Sequence, residues 1–117
     1  MQEASSIESG LIDVKKLMQA GDFAASERSL NLLVSKVPSN GDVLYMLAVC
    51  YRYQKRYPEA LDTLRKLRFS VPDHSRAYQE IGHVYRAMNQ VDAALNSYSQ
   101  AVLINPALEA SIRCQIE

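Results

Sequence analysis

The chain contains no tryptophan and only two phenylalanines, two cysteines, two histidines, four glycines and four prolines among 117 residues. Each scarcity narrows what it can be. Cys50 and Cys114 stand far apart with no CxxC spacing, which argues against a disulfide framework or a zinc site and fits a reducing compartment. Gly10, Gly21, Gly41 and Gly82 form no phosphate-cradling loop. Net charge is also missing. Thirteen Lys and Arg balance thirteen Asp and Glu, so no global attraction to nucleic acid or to an anionic membrane is expected. The longest apolar run, Val43 to Tyr51, is nine residues, against the roughly 20 that a spanning helix needs. Glu3 and Glu8 open the chain without an apolar segment, so no signal peptide is expected. A cytoplasmic location follows as the expectation.

What is present is ordinary in amount and unusual in order. Hydrophobic residues make up 48% of the chain and there are seven tyrosines. Tyrosine buries a ring while keeping its hydroxyl at a wet edge, which suits a thin fold with much surface. Charge is unevenly placed. Between Arg52 and Arg76 lie seven basic residues opposed only by Glu59, Asp62 and Asp73.

The order is a period. Pro38, Pro72 and Pro106 recur every 34 residues. With Gly41 and Ser75 as first positions of two successive units, Leu44 aligns with Tyr78, Leu47 with Ile81, Ala48 with Gly82, and Tyr51 with Tyr85. These are positions 4, 7, 8 and 11, one stripe of a helix. Ala60 aligns with Ala94, Leu64 with Tyr98, and Leu67 with Ala101, giving positions 20, 24 and 27 of a second helix. Small residues at positions 8 and 20 let two helices approach, and the large ones fill the space around that contact. Proline at position 32 disfavours helix at the residue before it and ends the second helix. Asp42, and Ser75 or Asp73, are the expected N-caps of the first helices, and Pro58 falls in the first turn of a second helix. Helices are expected at 7–19, 23–36, 42–53, 58–69, 75–88, 91–104 and 107–116.

These residues resemble the tetratricopeptide repeat family, whose unit is 34 residues long. Tyr78, Ile81, Gly82, Tyr85, Ala94, Tyr98, Ala101 and Pro106 meet all eight positions of its pattern. A third unit keeps Leu17, Gly21-Asp22-Phe23, Ser26, Leu30, Leu33 and Pro38, and departs at Gly10 and Asp13, as a terminal repeat with one unneighboured face can. The resemblance implies an all-α, right-handed superhelix in a single domain spanning 1–117. Its repeats would lie at about 7–40, 41–74 and 75–108, followed by a C-terminal capping helix at about 107–116. Leu108, Ile112 and Ile116 would cover the last unit, shielding Tyr98 and Ile104, and its register also matches the start of a fourth unit.

The resemblance further implies a non-catalytic scaffold that binds a peptide segment in a concave groove lined by the first helix of each repeat. Positions 2, 5, 9, 12 and 13 face that groove, a stripe beside the core stripe. The candidate groove residues are Lys15, Met18, Tyr45, Val49, Arg52, Tyr53, Arg76, Gln79, His83 and Arg86. Arginine suits carboxylates and tyrosine offers contact area at low entropic cost, so a protein or peptide partner of acidic character is expected. Some family members hold a C-terminal carboxylate with a fixed set of Lys, Asn and Arg. Leu11, Lys15, Met46 and Glu80 depart from that set, with only Arg76 and loosely Lys15 kept, so that clamp is not expected. Self-association through the C-terminal helix is a further expectation, and neither nucleic acid nor membrane is expected as a partner.

No catalytic residue, cofactor or metal is expected. Cys50 and His83 could approach across adjacent units, but no third group or oxyanion donor accompanies them. His74 beside Asp73 lacks further ligands at matched spacing. Arg65, Lys66 and Arg68 form a solvated convex patch, although Arg68 occupies a position where the family prefers an apolar residue. A second reading rests on 79–87 and 105–111, which resemble repeats preceding bacterial sulfotransferase domains. It implies an N-terminal accessory region of a larger bacterial enzyme, without the sulfonate-donor loop and so without activity of its own.

Overall fold

The computed structural model describes the backbone of residues 2–116 and the side chains of residues 7–113. Within them the chain forms seven α-helices and no strand: α1 (Gln2–Gln19), α2 (Phe23–Lys36), α3 (Gly41–Tyr53), α4 (Tyr57–Ser70), α5 (Ser75–Ala87), α6 (Val91–Ile104) and α7 (Leu108–Ile116). They stack as three antiparallel pairs followed by one further helix, in a body of 41 × 26 × 23 Å. Six helices match the expected ranges to within a residue or so. The first begins five residues early, because no breaker stands between Gln2 and Ile7.

Two kinds of turn alternate along the array. Inside each pair the turn carries one residue in the left-handed region: Gly21 (φ 82°), Lys55 (φ 63°) and Asn89 (φ 62°). Each is flanked by the same pair of bonds. In the middle pair the Lys55 N–H donates to the Arg52 carbonyl and the Arg56 N–H to the Tyr51 carbonyl, both at 2.9 Å. This is a Schellman closure, which satisfies the carbonyls left over at a helix end. Between pairs the residue before proline ends the helix. Val37, Val71 and Asn105 have φ of −134°, −135° and −136°, the extended backbone that a following proline imposes.

The start of the next helix differs from expectation. Asn40 Oδ1 accepts from the Val43 N–H and His74 Nδ1 from the Ala77 N–H, both at 3.1 Å. The caps are therefore Asn40 and His74 rather than Asp42 and Ser75 or Asp73. Pro58 does sit in the first turn of α4.

The core runs lengthwise. Val14, Leu30, Val43, Leu47 and Cys50 join α1, α2 and α3. Leu44, Ala48, Ala60, Leu64, Ile81 and Val84 join α3, α4 and α5. Ala94, Tyr98, Ala101, Leu108 and Ile112 join α6 to α7. The small residues work as the spacing requires. Ala48 and Ala60 have no exposed surface, and a Cβ built on Gly82 would lie within 2.9 Å of three Tyr98 ring atoms. Gly10 explains the departure at position 4 of the first unit, since Leu33 fills that space 3.2 Å from where its Cβ would be. At the far end Tyr98 is covered by α7, whereas Ile104 stays 39% exposed, contrary to expectation. The side chains of Cys114 and Ile116 lie outside the described residues. Arg68 has a role that its sequence position did not suggest: its guanidinium lies 4.8 Å over the Tyr78 ring, tying α4 to α5.

Candidate functional site

Helices α1, α3 and α5 present one side together, and two cavities lie along it. The first, about 420 Å³, is lined by Arg52, Tyr53, His83, Arg86 and Ala87. The second, about 380 Å³, is lined by Leu11, Lys15, Asp42, Tyr45, Met46, His74 and Arg76. Seven of the ten candidate groove residues thus fall into two clusters. The other three line neither cavity. Gln79 is 7% exposed, Met18 packs on the core around Val14 and Leu30, and Val49 is half-buried between Tyr45 and Tyr53.

The floor of the first cavity is an ion pair. Glu80 on α5 is 2% exposed and receives two hydrogen bonds from Arg52 on α3, one from Nε and one from Nη2 at 3.4 Å. Burial pushes the Glu80 carboxyl above the usual range while the Arg52 charge pulls it back. The Arg52 guanidinium also lies 4.7 Å over the Tyr53 ring, and Tyr53 stacks on Phe23 at 5.0 Å. Arg52 and Tyr53 are therefore held in place before anything binds.

His83 forms one wall. Its Nδ1 lies 2.8 Å from the Tyr98 hydroxyl. Burial first, then the charges of Arg52 and Arg86, depress its pKa to about 4, so the ring is neutral near pH 7. Burial raises the Tyr98 hydroxyl pKa, and the nearby Arg86 acts the other way. The neutral imidazole has one N–H and one bare nitrogen, divided between the Tyr98 hydroxyl and the cavity. In the second cavity, the Tyr45 ring stacks against His74 at 5.8 Å. Burial raises the Tyr45 hydroxyl pKa, with Arg76 hydrogen-bonded to it acting the other way.

Arg76, Arg86 and Lys15 have no carboxylate partner among the described residues, while Arg52 is neutralised by Glu80. The cysteine and histidine that could have met across units do not. Cys50 Sγ donates to the Phe23 carbonyl at 3.1 Å, and burial lifts its pKa to about 11. Among the described residues no three His, Cys, Asp or Glu cluster as metal ligands would, and no helix is long and apolar enough to cross a membrane. Sequence reasoning missed Glu80 and His74. The one signal for Glu80 was an acid at inward-facing helical spacing, three residues after Ala77 and four before Val84. For His74 it was the 34-residue interval from Asn40.

The paired helices, the proline-ended turns and the two clustered cavities define a helical repeat array. A tetratricopeptide repeat profile matches residues 17–81, more than half of the chain, and a second matches 75–108. The chain belongs to the tetratricopeptide repeat family, whose arrays generally bind other proteins. No curated protein sequence matches it. Among solved structures, a crystal structure of MamA superposes with a TM-score of 0.77 at 24% identity, over 86% of this chain and 58% of MamA. A point mutant of the O-GlcNAc transferase of Thermobaculum terrenum superposes at 0.83 with 24% identity, over 91% of this chain and 20% of the transferase. MamA MSR-1 C2 gives 0.75 at 19% identity, over 86% and 58%. The chain therefore spans a little over half of MamA and a fifth of the transferase, and at these identities the likeness is one of fold. None of these matches supports a link to sulfotransferases.

Proposed function

We propose that the chain is a non-catalytic interaction scaffold whose groove along α1, α3 and α5 receives a peptide segment of acidic character. The observation that carries this reading is the set of cations without carboxylate partners, Lys15, Arg76 and Arg86, set beside pre-positioned tyrosine rings. Unpaired cations lining a trough attract carboxylates by charge and then hold them by hydrogen bonds. Tyr45 and Tyr53 supply contact area with little conformational freedom to lose. Arg52 supports the groove from below and is a poor probe of binding, because its removal would strand the buried Glu80 charge at a cost of about 3–5 kcal/mol.

The test is titration of the whole chain with acidic, neutral and basic peptides of equal length. Acidic peptides bind tightest, and Arg86→Ala and Tyr45→Ala each weaken binding by about 1–2 kcal/mol. Indifference to both substitutions removes the groove. A second reading, an accessory repeat region of a larger enzyme, takes its motive only from the fold likeness to one fifth of the O-GlcNAc transferase chain. Sequencing the parent reading frame decides that question.

A further inference from the structure

The two cavities stand at opposite ends of one helix. Arg76 lies in the first turn of α5 and Arg86 in its last. Ten residues of helix rise about 15 Å. Between these ends, Val49 sits half-buried one helical turn from both Tyr45 and Tyr53.

Each end offers the charge for one carboxylate. At the first cavity Arg52 is neutralised by Glu80, which leaves the Arg86 charge beside the neutral imidazole of His83. At the second, Lys15 and Arg76 face Asp42, which again leaves a single net positive charge. This balance suits two separate monoanions. A doubly charged phosphoryl group at either end would be half uncompensated.

A bound peptide must bridge the two ends. An extended chain advances about 3.3 Å per residue and returns its side chains to one face every second residue. Residues i and i+4 then lie about 13 Å apart on the same face, i and i+2 about 7 Å, and i and i+6 about 20 Å. In a helix, i and i+4 are only about 6 Å apart and could not reach both ends. Building on the acidic-peptide reading, we propose that the groove measures spacing. It selects an extended segment with carboxylates at i and i+4, one held by Arg86 beside His83 and the other by Arg76 and Lys15, with residue i+2 over Val49.

Fluorescence anisotropy on the full chain tests this with end-capped, labelled peptides of serine and threonine, a background that disfavours helix and suits the extended strand. Two glutamates are placed at i,i+2, at i,i+4 or at i,i+6, with a bis-glutamine control. The i,i+4 peptide is expected to bind roughly fivefold or more tightly than the other two spacings, the scale of one retained ion pair. Arg76→Gln and Arg86→Gln, both exposed positions checked for helicity by circular dichroism, each abolish that preference. Arg65→Gln on the convex side leaves it intact. Equal binding of all three spacings, with loss only in the glutamine control, overturns the spacing rule while leaving an acidic-peptide groove. Tighter binding by an alanine-based, helix-forming i,i+4 peptide overturns the extended conformation and with it the rule. Equal binding of the glutamate and glutamine peptides overturns both this inference and the acidic-peptide reading.

Discussion

Lys55 occupies a conformation that costs most residues with a Cβ about 1–2 kcal/mol. Its equivalents in the other two pairs are glycine and asparagine, the residues that tolerate φ near +60°. Lys55→Gly relieves this strain and is offset only in part by the freedom glycine gains in the unfolded chain. The expected gain is about 0.5–1 kcal/mol, read as a rise of a few degrees in Tm, and a β-branched residue at the same site lowers it. His83 provides a second test at this scale. Its pKa falls from an unfolded value of about 6.5 to about 4 in the fold. Between these values the unfolded chain binds a proton that the folded chain refuses, so stability is full above pH 6.5 and declines on acidification toward pH 4. Glu80 acts oppositely, since a raised carboxyl pKa favours the fold at low pH and is lost as pH rises through the folded value. The wild type therefore shows only the difference of the two. His83→Gln removes the histidine part, about 1–3 kcal/mol across the window, and urea midpoints at pH 6.5, 5 and 4 measure it.

At the level of elements, Gly82 sets how closely α5 and α6 pack. Alanine there gains about 1 kcal/mol of helix propensity, but its methyl meets the Tyr98 ring. That ring is held by His83, Arg86 and the cover of α7, so it cannot swing aside. Gly82→Ala is expected to lose roughly 1–2 kcal/mol net through overpacking, measured by chemical denaturation. The helices and their inward faces were legible in the sequence because positions 4, 7, 8, 11, 20, 24 and 27 recur in register, and periodicity survives any single exception. The caps were not. Asp42, Asp73 and Ser75 are better capping types than His74, yet the turn geometry after Val71-Pro72 brings the second residue past proline to the cap position whatever its type. The two groove clusters were half legible. The stripe was visible, but the Arg52–Glu80 pairing crosses 28 positions between elements and leaves no periodic trace. Gln79 belongs to the stripe by spacing and to the interior by packing.

For the whole molecule, α7 covers the third helix pair. Leu108 and Ile112, at 7% and 4% exposure, cover Tyr98 and Ala101, and a cavity of about 480 Å³ beside them is lined by Leu95, Val102, Leu103 and Ile112 among others. A chain stopped at Asn105 bares Tyr98 and Ala101 and joins them to the already exposed Leu95 and Leu103. Contiguous apolar surface of that kind drives association. The truncated chain is expected to elute earlier than its mass predicts in size-exclusion chromatography and to do so more strongly with rising concentration, while the full chain at equal loading elutes as the smaller species.

The residues before the three prolines share φ to within a few degrees, while their ψ values run 74°, 82° and 92° along the chain. In a stacked array the curvature is the accumulated rotation at each joint. The distance from Arg76 to Arg86 is fixed by α5 itself, so what the joints at Val37 and Val71 tune is how Lys15 on α1 and the tyrosines of α3 are set against those two arginines. Selectivity in this protein can drift through its joints while every contact residue stays the same.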